Sequence, residues 1–256
     1  MGRGACVPHP ISLAVFEWRK TYSNTGPPSE QFYARMSQAE GNYFPALPPK
    51  PPWGPLLNGF VQNPGPDCRN LLPAPLDAGT IMAWVTGQAT ISTPLGPGGE
   101  ISVSLPSGTV GAGPHTLSTV GGKDVGPFSS TVAIPGPIQV TSQFPPGTTL
   151  SCNKPLTVSW TGGDDQSAVD VKVRTFAGGF EMYMEAILSG SAGTYTFTPP
   201  GFALNDFLVD CPASAEIDVT QTPAALMTFG ADGLMLGARH AWKYEYQFTG
   251  LQMSSR

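Results

Sequence analysis

Leu156-Thr157-Val158-Ser159-Trp160-Thr161-Gly162-Gly163 decides the fold class. Leu156, Val158 and Trp160 fall on one side of an extended chain and Thr157 and Ser159 on the other, because successive side chains of a strand point to opposite faces. Thr161-Gly162-Gly163-Asp164-Asp165 stops the run with turn residues. The alternation then resumes, with Val169, Val171 and Val173 set against Asp170, Lys172 and Arg174. It continues with Phe180, Met182, Met184 and Ala186 against Glu181, Tyr183 and Glu185, and with Tyr195 and Phe197 among threonines. Runs of this kind between Gly/Ser/Asp turns predict an antiparallel sandwich sheet with one wet face.

The same period returns downstream in Ala215–Gln221, Ala225–Phe229 and Ala241–Thr249, where Trp242, Tyr244, Tyr246 and Phe248 alternate with Lys243, Glu245 and Gln247. Upstream, Ile81–Thr86, Ala89–Ser92, Glu100–Leu105, His115–Val120 and Ser129–Ile134 read as short strands between Gly/Pro-rich turns. Pro135-Gly136-Pro137 is a stiff hinge between two β patterns and divides the chain into residues 1–135 and 138–250. Ile11–Trp18 reads as a strand. Ser29–Gln38 is the one helical candidate, with Ser29 as cap and Phe32, Tyr33 and Met36 on a shared face, and a strand is the alternative. Between Pro45 and Pro75 the density of proline pushes the backbone toward polyproline geometry, giving an irregular strap pinned by Trp53, Leu56, Leu57 and Phe60. The expected fold class is all-β: two immunoglobulin-like β-sandwich domains with an irregular Pro- and aromatic-rich N-terminal portion.

Composition narrows the function classes. The 31 glycines and 28 prolines would allow disorder, but 40% hydrophobic against 12% charged residues leaves too much patterned apolar surface to stay solvated. Thirteen basic and 18 acidic side chains give a net charge of −5, which argues against a nucleic-acid partner. No apolar stretch approaches the roughly 18 residues of a membrane span. Met1-Gly2-Arg3-Gly4-Ala5-Cys6 lacks the apolar core of an export signal, so the expectation is a cytosolic protein or a chain lacking its true beginning.

Cys6, Cys68, Cys152 and Cys211 form no Cys-x-x-Cys motif. Their even number, wide spacing and all-β setting favour two disulfides, with four unpaired thiols as the alternative. Of three connectivities, Cys6–Cys68 with Cys152–Cys211 keeps each pair inside one proposed domain. Closing a loop of roughly 60 residues stabilises by about 4 kcal/mol on the chain-entropy model.

Each candidate for chemistry has a plainer reading beside it. Gly121-Gly122-Lys123-Asp124 lacks a Ser or Thr after the lysine and lies between strands, so it reads as a hairpin turn, not a phosphate loop. Asp164, Asp165 and Asp170 lack a calcium-loop spacing and read as solvated carboxylates. Glu181 and Glu185 share a strand face, as a glycosidase pair would, yet the opposite face is the core face, which leaves both glutamates outward with nothing to raise a pKa. His9, His115 and His240 are far apart in sequence, and no Gly-x-Ser-x-Gly elbow is present. No catalytic, cofactor or metal residue is therefore assigned. The first 60 residues are crowded with aromatics, and Trp18, Tyr22, Tyr43 and Trp53 are the candidates for stacking on a sugar or anchoring a partner. The plainer reading is that large side chains staple Pro-rich segments to a sheet.

Leu76-Asp77-Ala78-Gly79, Gly122-Lys123-Asp124-Val125-Gly126-Pro127-Phe128 and Leu156–Gly163, in this order, resemble an uncharacterised module at the C-terminal end of predicted exported proteins of soil bacteria. The second half, with Thr157–Gly163 and Gly193-Thr194-Tyr195-Thr196-Phe197, is also similar to immunoglobulin-like domains of fungal cell-wall proteins. The resemblance implies an extracellular or cell-surface β-sandwich without assigned catalytic residues. The expected function is a non-catalytic structural or recognition module facing a cell-surface polymer, a glycan or another protein. The alternatives are a carbohydrate-binding accessory module and, more weakly, a hydrolase.

Overall fold

The structure is a computed structural model describing residues 10–40, 54–56, 74–85, 91–96, 99–177, 180–198, 203–204, 207–208, 213–225, 227–234 and 237–254. The chain is all-β with several sheets. Its strands open with β1 (Pro10–Ser23), β2 (Gly26–Glu40), β3 (Gly54–Leu56), β4 (Ala74–Pro75), β5 (Thr80–Val85), β6 (Ile91–Pro94) and β7 (Glu100–Ser104). Next come β8 (Gly113–Thr119), β9 (Phe128–Ile134), β10 (Gln139–Val140), β11 (Thr149–Ser151), β12 (Leu156–Thr161), β13 (Ser167–Ala177) and β14 (Phe180–Ser189). After a short 3₁₀ turn (Gly190–Ala192) follow β15 (Thr194–Phe197), β16 (Ala203–Leu204), β17 (Phe207–Leu208), β18 (Ala213–Pro223), β19 (Thr228–Phe229) and β20 (Ala238–Ser254).

One eleven-stranded sheet runs β3-β14-β13-β18-β20-β1-β2-β4, with β7 also on β2 and β11 and β19 also on β20. Two smaller sheets, β6-β5-β8-β9 and β10-β12-β15, complete two separate cores. The first core gathers Phe16, Trp18, Phe32 and Met36 with Ile81, Leu117 and Val132, and also takes Ala238, Trp242 and Tyr244 from the far end of the chain. The second gathers Ile138, Val158 and Trp160 with Val169, Val171, Val173, Ile217, Leu251 and Met253. Membership switches between Ile134 and Ile138, across Pro135-Gly136-Pro137, while β20 contributes to both cores. Within β20 the inward residues change parity, from Trp242 and Tyr244 to Leu251 and Met253. The change falls at a bulge, where the register with β18 shifts and Gly250 takes a left-handed φ of 71°.

The N-terminal portion departs from the irregular path expected of it. Residues 10–40 form a long antiparallel hairpin, and the helical candidate Ser29–Gln38 is strand. The period explains the correction: Phe32, Ala34 and Met36 are all fully buried, which only a two-residue repeat can achieve. Pro27 and Pro28 sit where the β1–β2 register slips, a place in a strand that tolerates a missing amide donor. Most of the Pro45–Pro75 strap lies outside the described residues. The sheet is also not purely antiparallel, because β1 and β11 both run parallel to β20.

Candidate functional site

Of the expected stacking aromatics, Trp18 is spent inside the molecule and Tyr22 is half-buried against the first core. Trp18 is fully buried, its ring centroid 4.9 Å from those of Phe32 and His115. Tyr22 lies flat on Tyr246, with centroids 4.5 Å apart and planes 6° from parallel. The reason is position: β1 is an interior strand between β2 and β20, and the even-numbered residues from 14 to 18 face the first core. Tyr43 and Trp53 lie outside the described residues, as does His9.

Folding brings together two histidines that are remote in sequence. The Trp18 indole donates to His240 Nε2 at 3.0 Å, and Ser130 Oγ lies 3.1 Å from His240 Nδ1. An indole nitrogen can only donate, so Nε2 must accept and Nδ1 of the neutral ring carries the proton toward Ser130. That is the opposite of what a base activating a serine needs, since the base must accept from the hydroxyl. Burial, with a smaller contribution from His115, pushes the His240 pKa down to about 4 and keeps the ring neutral. His115 is itself fully buried, its ring nitrogens 3.1 Å and 3.2 Å from the carbonyls of Gly113 and Thr109. The pair is a polar peg in the first core.

The outer face of the large sheet carries a ladder of charge. Lys172 Nζ meets Glu185 Oε1 at 2.9 Å, and Arg174 Nη2 meets both Glu216 and Asp218 at 2.8 Å. Farther along, Lys243 pairs with Glu245 and Arg35 with Glu100, each at 3.1 Å. Asp170 is not the solvated carboxylate expected of it. Burial, then the neighbouring and hydrogen-bonded Glu185, drive its pKa upward to about 8 against the opposing pull of Lys172 and Lys243. Asp170 therefore holds its proton at neutral pH. Asp218 is also raised, because burial outweighs its ion pair with Arg174. Alternation alone could place these groups outward. Which of them meet depends on cross-strand register, which sets Lys172 opposite Glu185 on one side and Asp218 on the other.

The three aspartates weighed for calcium do not converge. Asp165 accepts hydrogen bonds from Ser189 and Ser191, whereas Asp170 faces Glu185. Among the described residues no group of three His, Cys, Asp or Glu side chains is placed to hold a metal ion.

Two of the three motif stretches do meet in space. The Asp77 carbonyl accepts from the amides of Asp124 and Val125, and the Asp77 amide donates to Asp124 Oδ2 at 2.9 Å. Gly121-Gly122-Lys123-Asp124 thereby belongs to the connection between paired strands β8 and β9. The third stretch makes a separate lock. The Trp160 indole donates to the Gly190 carbonyl at 2.9 Å, and a Cβ on Gly163 would run into that same carbonyl. Both motifs tie turns to strands.

Polar groups also bind the two cores to each other. The Ile138 peptide is held on both sides, its amide donating to buried Gln221 Oε1 at 2.9 Å and its carbonyl accepting from the Tyr246 phenol. The Tyr244 phenol donates to the Pro135 carbonyl at 3.0 Å. Burial, followed by the nearby Tyr22 oxygen, raises both phenol pKa values, so both stay protonated donors. Nearby, Lys20 Nζ lies 2.8 Å from Glu30, whose carboxylate also accepts from the amides of Gly108 and Val110. Burial opposes the ionised form of Glu30, but Lys20 and these amides outweigh it and hold its pKa below the ordinary value. Cys152 is one half of a disulfide; Cys6, Cys68 and Cys211 lie outside the described residues.

No protein-family model matches the chain, and no curated protein matches it. Among solved structures it is similar to the FN1–FN3 domains of chicken CNTN1 at 10% identity and a TM-score of 0.20, over 93% of this chain and 67% of that one. A likeness at that TM-score is weak and carries no argument about function. What is established is an all-β protein of several sheets, with no family identified.

Proposed function

We propose that this chain is a non-catalytic structural or recognition module of the extracellular space or cell surface, built as two immunoglobulin-like sandwiches held as one stiff body. The supporting observation is the joint between the cores. There the Gln221, Tyr244 and Tyr246 side chains grip the backbone on both sides of Pro135-Gly136-Pro137 instead of leaving a swivel. Buried polar groups that satisfy one another at a joint fix its geometry, which suits a spacer or a presenting platform. The small sheets turn hydroxyl ladders outward, with Thr116–Thr131 at 2.8 Å, Thr157–Thr196 at 2.9 Å and Ser159–Thr194 at 3.1 Å. Half of a disulfide at Cys152 agrees with an oxidising compartment.

The test is protease shaving of intact cells that make the chain in its natural reading frame, paired with a glycan array. Release of the chain's peptides from intact cells is expected, and full protection would overturn the surface reading. Array binding that disappears in Trp53→Ala would replace it with the carbohydrate-binding reading.

A further inference from the structure

Among the described residues the first and last strands lie side by side and run the same way. β1 and β20 pair in parallel through ten consecutive residue pairs, from Ala14 opposite Ala238 to Ser23 opposite Gln247. In a parallel pair, the entering end of one strand and the leaving end of the other lie at opposite ends of the ladder. Tension arriving ahead of β1 and departing after β20 therefore pulls the two strands lengthwise past each other. Every hydrogen bond of the ladder is then strained together, whereas a pull on two adjacent ends opens bonds one at a time. We infer that the chain serves to carry tension along the polypeptide, with the β1–β20 ladder as its mechanical clamp. This inference rests on the structural reading above and gives it a specific task.

Side chains reinforce the ladder across its length. On the core side, Phe16, Trp18, Ala238, His240, Trp242 and Tyr244 are buried, so water cannot readily replace a strained peptide hydrogen bond from that face. The Trp18 indole reaches diagonally to His240, and Tyr22 stacks on Tyr246 at the far end. On the outer face Thr21 Oγ1 donates to Glu245 at 3.5 Å. The load path uses only β1 and β20, because force passes directly from one to the other. The joint between the cores is bypassed too, since β20 itself spans both. Resistance to pulling is set by the unfolding barrier along the pulling direction and not by equilibrium stability, so direction of pull is the decisive variable.

The experiment is single-molecule stretching of the full chain in reducing buffer with two attachment geometries. In the first, handles are fused ahead of Met1 and after Arg256. In the second, the N-terminal handle is kept and the other is attached through a bioorthogonal side chain at Gly230, which has open space around its Cβ position. Gly230 follows β19, whose Phe229 lies level with Ala238, so both attachments then sit at the same end of the ladder. The end-to-end geometry is expected to yield at several times the force of the second. Equal forces, or a weaker end-to-end geometry, overturn the clamp while leaving the surface-module reading to its own shaving assay.

Discussion

At the scale of single residues, two buried titratable groups tilt stability in opposite directions with pH. His240 is 1% exposed and its pKa falls from 6.5 to about 4 in the fold. Below pH 6.5 the unfolded chain takes up a proton that the folded chain refuses. Its contribution, on the order of 3 kcal/mol, is therefore complete above pH 6.5 and lost as pH falls toward 4. Asp170 does the reverse. Its folded pKa of about 8 exceeds the ordinary 3.8, so its burden is absent below pH 3.8 and grows as pH rises to about 8. Chemical denaturation between pH 4 and 8 is expected to give Asp170→Asn a curve that rises with pH and stands above wild type at pH 8. His240→Gln is expected to give a curve that only falls. Unchanged profiles in both variants would show that neither group is buried as described.

At the scale of strands, β20 settles which cysteines can meet. Ser151, just before Cys152, lies opposite Ser254, and Ala213, at the start of β18, lies opposite Met253. Both neighbours therefore border the final residues of β20. Pro10 and Ala74 border the other end of the sheet, since Ser12 and Ala74 flank Gln38 and Ala14 is level with Ala238. From Ala238 to Ser254 a strand extends about 50 Å at roughly 3.3 Å per residue. The links from Cys6 to Pro10 and from Cys68 to Ala74 reach only about 14 Å and about 22 Å. Neither can close on Cys152, so its partner should be Cys211. Non-reducing peptide mapping is expected to recover a Cys152–Cys211 cross-link, and a Cys152 peptide joined to Cys6 or Cys68 would contradict the strand register.

At the scale of the whole molecule, a sheet common to both cores and a gripped joint should make the two halves unfold together. Calorimetry is expected to show one transition whose calorimetric and van't Hoff enthalpies agree, and two resolved transitions would show independent halves. Tyr246→Phe leaves the buried Ile138 carbonyl without its phenol donor and should destabilise by about 1–3 kcal/mol.

The sequence makes the all-β class and most strand positions legible, because a two-residue alternation such as Val169-Val171-Val173 is a local property of the chain. It misled at Ser29–Gln38, where Phe32, Tyr33 and Met36 suit a helix and only packing against β1 and β7 decided for a strand. It also left Trp18 looking available, since burial depends on which strands lie to either side. Long-range packing alone brings β20 back along β1, His240 onto Trp18, and the Asp170 carboxyl against Glu185. Those pairings depend on register between residues up to 224 positions apart, as in Thr21 and Glu245, and no local pattern encodes a register across such a distance.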